Sequence, residues 1–144
     1  MSKIQDIQDQ IVEEFELLDG DREATIFYIM DLGQNLPPLE EEFQIETNII
    51  KGCQSKVWLT TDFKEGKVQF YADSNTDVTK GLISLLIRVL SNQTPDDIIN
   101  AELNFVERIG MSQVIGSQRS NGFSAMVKQM KMYALGYKAK VSIN

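Results

Sequence analysis

The chain has no histidine at all, and its 144 residues hold only one cysteine, one tryptophan and three prolines. Each shortage closes a class of chemistry. Without histidine there is no Ser-His-Asp triad, no Cys-His pair, no imidazole general base and no imidazole metal ligand. The single cysteine, Cys53, cannot close an intramolecular disulfide. It also leaves no CxxC pair, and one thiolate is too few for zinc or a complete iron–sulfur cluster site. No stretch approaches the roughly 18 consecutive apolar residues that span a bilayer. The opening MSKIQDIQDQIVEEF is acidic and amphipathic, unlike a signal peptide with its basic start and apolar block. These absences point to a soluble cytoplasmic protein whose chemistry runs on Cys53, carboxylates, lysine, tyrosine or hydroxyls.

What is present is one domain's worth of chain, 1–144, with 42% hydrophobic residues to build a core. Basic residues are scarce in the first fifty positions: Lys3 and Arg22 stand against thirteen acids, a balance of −11. Residues 51–144 hold twelve basic and eight acidic side chains, +4, which brings the total to −7. The net charge argues against nucleic acid and an anionic membrane surface as partners. Cys53 opens the basic part. The acidic part reads either as partner steering or as an ordinary solvated helix face.

Ser2 and Gln5 fit a capping box, and Ile4, Ile7, Ile11, Phe15 and Leu18 follow on one helical face. Asp19-Gly20 breaks this helix. A second is expected from about Asp21 to Leu32, burying Ala24, Phe27, Tyr28 and Leu32, with Gly33 and Pro37-Pro38 as its stop. Three strand-like runs follow: Asn48–Lys51, Ser55–Thr61 and Lys67–Asp73, the last two joined by an Asp62–Gly66 hairpin loop. Thr79–Leu90 is apolar over more than half its circumference. Thr94-Pro95-Asp96-Asp97 is a helix start with a capping threonine, proline in the first turn and acids suited to the dipole. A short element near Phe105–Ile109 stops at Gly110. The last helix is expected over about Gln118–Tyr137, with Met126, Met130 and Met132 as core and gap-filler, Lys128 and Lys131 outward, and 139–144 as a frayed tail. The order gives an α+β fold: a small three-stranded antiparallel sheet with helices packed on one face.

Cys53 lies in the turn Gly52-Cys53-Gln54 between the first two expected strands. A lone cysteine is commonly a small buried hydrophobe. A glycine-bounded turn, with Lys51 and Lys56 near in sequence, would instead favour an accessible thiolate. Both readings stand on these residues alone.

The string Ile50-Lys51-Gly52-Cys53-Gln54-Ser55-Lys56-Val57-Trp58 resembles the signature of the SufE family, the sulfur acceptors that partner group II cysteine desulfurases. Leu36-Pro37-Pro38-Leu39 and Asn48 precede it in the family's order. Asp73-Ser74, Lys80-Gly81-Leu82, Thr94-Pro95-Asp96-Asp97-Ile98, Phe105-Val106-Glu107-Arg108 and Arg119-Ser120-Asn121-Gly122-Phe123 follow. The resemblance runs from about residue 5 to 138.

It implies an α+β domain similar to the cluster scaffold IscU, with Cys53 as the acceptor that takes persulfide sulfur towards iron–sulfur cluster assembly. The implied partner is a SufS-like cysteine desulfurase, which holds the pyridoxal phosphate; this chain would carry no cofactor or metal of its own. Downstream cluster scaffolds are the further partners implied. The chain would be a carrier that raises its partner's turnover, not an independent enzyme. Gly52, Gln54 and Ser55 would shape the loop, which is expected to shield the cysteine and open on docking. Arg119 would approach the cysteine loop or the partner, or else make a helix-start salt bridge. Asp73 would brace a loop near Cys53, or form a plain strand-end turn. Rival readings are a thiol redox sensor on Cys53 and a pure interaction module with an inert cysteine. A cluster scaffold would need three cysteines.

Overall fold

The computed structural model describes residues 3–143, so the Ser2 half of the expected capping box lies outside the described residues. Two helices open the chain, α1 (Lys3–Glu16) and α2 (Arg22–Gln34), followed by single 3-10 turns at Glu41–Phe43 and Glu46–Asn48. A hairpin of β1 (Val57–Lys64) and β2 (Lys67–Ser74) comes next. Then come α3 (Asp77–Leu90), α4 (Pro95–Asn100), α5 (Phe105–Arg108) and the long α6 (Met111–Ile143).

The architecture is α+β, but the sheet has two antiparallel strands where the sequence suggests three. Of the expected strand at Asn48–Lys51 only a single bridge survives, Ile49 to Trp58, with the Ile50 amide donating to the Val57 carbonyl at 2.8 Å. The reason is local. Glu46–Asn48 winds into a 3-10 turn before the segment, and Gly52 turns the chain with φ 98° after it, leaving no length for a ladder. The hairpin turn is tighter than the expected five-residue loop: Lys64 pairs with Lys67 across Glu65-Gly66, both at positive φ (53° and 78°). That is the mirror-image two-residue turn whose twist suits a hairpin.

α3 is the core helix, with Leu82, Ile83, Leu85, Leu86, Val89 and Leu90 buried between the inner face of the hairpin (Val57, Leu59, Val68, Phe70, Ala72) and the other helices. Fully burying such aliphatic side chains is worth about 1.5–3 kcal/mol each. The polar break in the α1 stripe, Gln8, is buried yet satisfied: its amide donates to the Glu102 carbonyl at 3.0 Å and its oxygen accepts from the Phe105 amide at 3.1 Å. Arg88 of α3 grips Glu14 of α1 with both guanidinium nitrogens, and the Tyr28 hydroxyl of α2 donates to the same carboxylate at 2.6 Å. Three helices thus meet on one carboxylate.

The face of α2 differs from expectation. Thr25, Ile29 and Gly33 are buried, whereas Ala24, Tyr28 and Leu32 are only half-buried and Phe27 is 61% exposed. Gly33 does not stop this helix. A side-chain carbon on it would come within 2.4 Å of the Asp77 carbonyl oxygen, and one on Gly81 within 1.9 Å of the Ile29 carbonyl oxygen. The two glycines let the backbones of α2 and α3 touch, and that contact sets which face turns inward.

α4 starts as expected, with the Thr94 hydroxyl accepting from the Asp97 amide at 3.2 Å. α6 has a short first segment from Met111 that the sequence reading did not include; Gly116 (φ 83°, ψ 170°) breaks it, and the winding restarts after that, close to the expected start at about Gln118. It stays helical through Ile143, where a frayed tail from 139 was expected. Met132 is 55% exposed and not core. Lys131 folds back instead of facing outward, donating to the Ala101 carbonyl at 2.7 Å and the Ile99 carbonyl at 3.4 Å. It thereby caps the end of α4. Among the described residues no helix is long and apolar enough to cross a membrane.

Candidate functional site

Cys53 sits after Gly52 at the exit of the turn that leads into β1, half-buried against α6. Its Sγ lies 3.5 Å from the Gly122 carbonyl oxygen, placed to donate its proton there. The approach depends on glycine: a methyl at position 122 would meet Sγ at 3.3 Å and the Cys53 Cα at 3.6 Å. Burial pushes the Cys53 thiol above its ordinary pKa. Of the two readings of Cys53, this favours the half-buried thiol over the thiolate that Lys51 and Lys56 would promote. Both lysines are exposed, and desolvation governs the group.

The thiol forms part of the wall of a cavity of about 260 Å³. Gln54 and Ser55 from its own loop share that wall with Thr76 and Thr79 of the α3 start and with Arg119 and Gly122 of α6. Met30, Leu82 and Met126 give it an apolar floor. The Ser55, Thr76 and Thr79 hydroxyls close a ring: Ser55 to Thr76 at 3.0 Å, Thr76 to Thr79 at 2.8 Å, Thr79 to Ser55 at 3.3 Å. Next to the ring, the Lys56 amide donates to the Asn75 side chain at 3.1 Å, and the Lys56 carbonyl accepts from the Ser74 hydroxyl at 2.7 Å. The cysteine loop is therefore stapled to the β2–α3 junction by polar contacts that are individually worth about 0.5–1.5 kcal/mol.

The structure brings together Cys53, Gln54, Ser55 and Arg119, with Gly52 behind them, its α-carbon facing the Ala125 methyl. Arg119 is exposed and has no ion-pair partner among the described residues, so the helix-start salt bridge does not form. Asp73 stands apart. It is buried, accepting from the Leu39 amide at 3.2 Å and the Ser74 amide at 2.8 Å, with the Lys80 ammonium at 3.6 Å. It braces the proline-bearing loop, not the cysteine loop.

Sequence reasoning gave no role to Gly122, Thr76 or Thr79. The signal for Gly122 was present: Arg119, Gly122 and Met126 recur at three and four, one helical face. Thr76 and Thr79 occupy the cap and third positions of α3, where paired polar groups commonly meet, but their meeting Ser55 depends on tertiary structure.

Comparison with known proteins shows the family of the chain. The sequence profile of the SufE family, described as an Fe-S metabolism associated domain, matches residues 9–134. An uncharacterized SufE-like protein of Synechocystis is 34% identical over 128 residues, covering 89% of this chain and 80% of that protein. SufE-like protein 1 of Arabidopsis thaliana, chloroplastic/mitochondrial, is 32% identical over 143 residues, 97% of this chain but 38% of the plant protein. The solution structure of a hypothetical protein from Thermus thermophilus matches with a TM-score of 0.73 at 19% identity, covering 90% of this chain and 94% of that one, and so shares the fold. With the profile spanning most of the chain and such relatives beyond it, the protein belongs to the SufE family.

Proposed function

We propose that this protein accepts persulfide sulfur from a cysteine desulfurase onto Cys53 and carries it towards iron–sulfur cluster assembly. The observation that carries the reading is the Cys53 thiol in the wall of a cavity of about 260 Å³, half-buried and held by a glycine-lined helix. A water occupies about 30 Å³, so a second sulfur on Cys53 has room in the cavity, partly screened from the small thiols that would strip it.

The step needs one attacking thiolate. Cys53 loses its proton, its sulfur attacks the terminal sulfur of the partner's cysteine persulfide, and a new S–S bond forms. The old S–S bond breaks, its electron pair leaves on the partner's cysteine, and that thiolate takes up a proton from solvent. No histidine, metal or second cysteine enters this balance. A second cysteine in the chain would instead displace the sulfur and close a disulfide. Burial disfavours the thiolate in the resting protein, and docking that opens the hydroxyl-stapled loop would expose the thiol to ionise. The same burial weighs against a redox sensor, which requires a low-pKa, exposed thiol. The protein would act as a carrier without turnover of its own, raising its partner's rate by draining sulfur from the desulfurase cysteine.

The test is alanine production by the cognate desulfurase with added wild-type protein or Cys53→Ser. Stimulation by wild type alone, with binding retained by the variant, supports the reading. Equal stimulation by both would end it in favour of an interaction module.

A further inference from the structure

A sulfur transferred to Cys53 asks something of the cavity that the resting thiol does not. At rest the thiol carries a proton, which it is placed to donate to the Gly122 carbonyl at 3.5 Å. A persulfide is a stronger acid than its parent thiol, because the neighbouring sulfur spreads the charge, and the transferred sulfur is therefore an anion near neutral pH. An S–S bond of about 2.05 Å carries it past Sγ into the cavity. The Gly122 carbonyl accepts hydrogen bonds and can only repel such a group. The anion needs donors elsewhere in the wall.

The β1 entry and the α3 start supply them. Ser55, Thr76 and Thr79 line the cavity together with Cys53. Two bonds of their hydroxyl ring have a direction: Thr76 donates to Thr79, and Thr79 donates to Ser55. The third, between Ser55 and Thr76, can run either way. The Ser55 proton is thus the one the ring can release, and the two hydroxyls behind it polarise it as a donor. Thr76 is the N-cap of α3, where a threonine hydroxyl ordinarily accepts from a helix amide, yet it makes no such bond. Its hydroxyl is spent instead on the ring, two positions from the cysteine. Among the described residues the Asp77, Val78 and Thr79 amides have no hydrogen-bond partner, so the positive end of a 14-residue helix adds to the same wall. The charged side chains in the lining are Arg119 and Asp77, one of each sign, and their fields oppose one another.

We propose that the Ser55 hydroxyl donates a hydrogen bond to the terminal sulfur of the Cys53 persulfide and holds it as an anion, with Thr79 and Thr76 as positioning residues that aim and polarise that hydroxyl. The inference rests on Cys53 being the sulfur acceptor, and it adds the group that receives the sulfur. The ring that staples the loop at rest becomes the seat of the sulfur after transfer. The Ser55–Thr76 bond opens, a Ser55–sulfur bond replaces it, and the Thr76–Thr79–Ser55 chain stays in place behind the donor.

The test makes the persulfide without a desulfurase, which separates its failure from failure of the acceptor reading. Cys53 of the full chain is converted to its mixed disulfide with thionitrobenzoate, and sulfide is added. Sulfide attacks Cys53 Sγ, the mixed disulfide breaks, thionitrobenzoate leaves with the electron pair, and the persulfide remains. Its near-ultraviolet absorbance is titrated against pH in wild type, Ser55→Ala, Thr79→Val, Thr79→Ser and Arg119→Gln. Ser55→Ala should raise the midpoint by about one pH unit, a tenfold loss of the size expected for a hydrogen bond to a charged group. Thr79→Val should raise it by about half a unit, and Thr79→Ser should restore the wild-type value. Urea unfolding of the same variants reads the part of the ring that only staples the loop. If Thr79→Val does not fold, Ser55→Ala decides, since it removes one half-buried hydroxyl. Lost stability with an unmoved midpoint overturns the proposal. So does a midpoint that moves in Arg119→Gln alone, which would give the anion to the guanidinium. Shifted midpoints in a protein that the desulfurase never loads would support the seat and refute sulfur acceptance from that partner.

Discussion

Gly122→Ala separates stability from function at the cysteine site. Residue 122 lies inside α6, past the break at Gly116, and has helical backbone angles, so alanine gains about 0.8–1.0 kcal/mol of helix propensity. The new methyl meets the Cys53 Sγ at 3.3 Å, which forces the thiol to give by a few tenths of an ångström. The loop that must move is held by polar contacts near its surface, so the displacement costs little, and net stability should stay within about 1 kcal/mol of wild type or rise. Sulfur acceptance should fall. A misplacement of about 1 Å can cost a hundredfold in a positioned reaction, so a few tenths should cost about threefold to tenfold. Urea unfolding gives the first quantity and desulfurase stimulation the second. Unchanged transfer would refute the claim that this glycine makes room for the thiol, and a loss of more than about 1 kcal/mol would refute the claim that the cysteine loop yields cheaply.

Four further outcomes follow from the packing. Gly81→Ala should destabilise by about 2–3 kcal/mol or more in urea, since its methyl would lie 1.9 Å from the Ile29 carbonyl oxygen, a backbone atom that cannot step aside. Thr94→Ala should cost about 1 kcal/mol through the lost α4 cap, read by the shift in unfolding midpoint. Glu14 is held below its ordinary carboxylate range, first by its hydrogen bonds to Arg88. Stability from that pair is full above the unfolded value of about 4.3 and is lost as pH falls through the lower folded value, so Glu14→Gln should flatten the acid limb of the stability profile. Finally, iodoacetamide should modify Cys53 of the free protein more slowly at neutral pH than it modifies N-acetylcysteine, with a rate midpoint above about 8.5; a midpoint at or below that value contradicts the buried-thiol account.

The sequence carried the class of the fold because its longest signals were strong. α3 reads as a buried helix from its apolar arc, and the Thr94 cap fixes α4 to the residue. What it did not carry depends on contacts between distant segments. Gly33 looks like a helix stop in one dimension and is a backbone contact in three; the face of α2 follows from that contact, not from the hydrophobicity of Phe27. Asn48–Lys51 has strand-forming residues, but pairing needs length that the flanking turns remove. At the site, Cys53 was evident from its motif. Its environment was not, because nearness of Lys51 and Lys56 in sequence says nothing about desolvation by α6. Of the two readings of Asp73, bracing a loop near Cys53 is not the one its contacts favour: besides the adjacent Ser74 amide its partner is Leu39, 34 residues away.

The most direct test of the central claim is intact mass of the protein after one turnover with the cognate desulfurase and cysteine, in the absence of small thiols. A mass increase of one sulfur atom, located on Cys53 by peptide mapping and absent from Cys53→Ser, is the predicted result. A desulfurase that turns over faster in the presence of a protein whose mass never changes would contradict it.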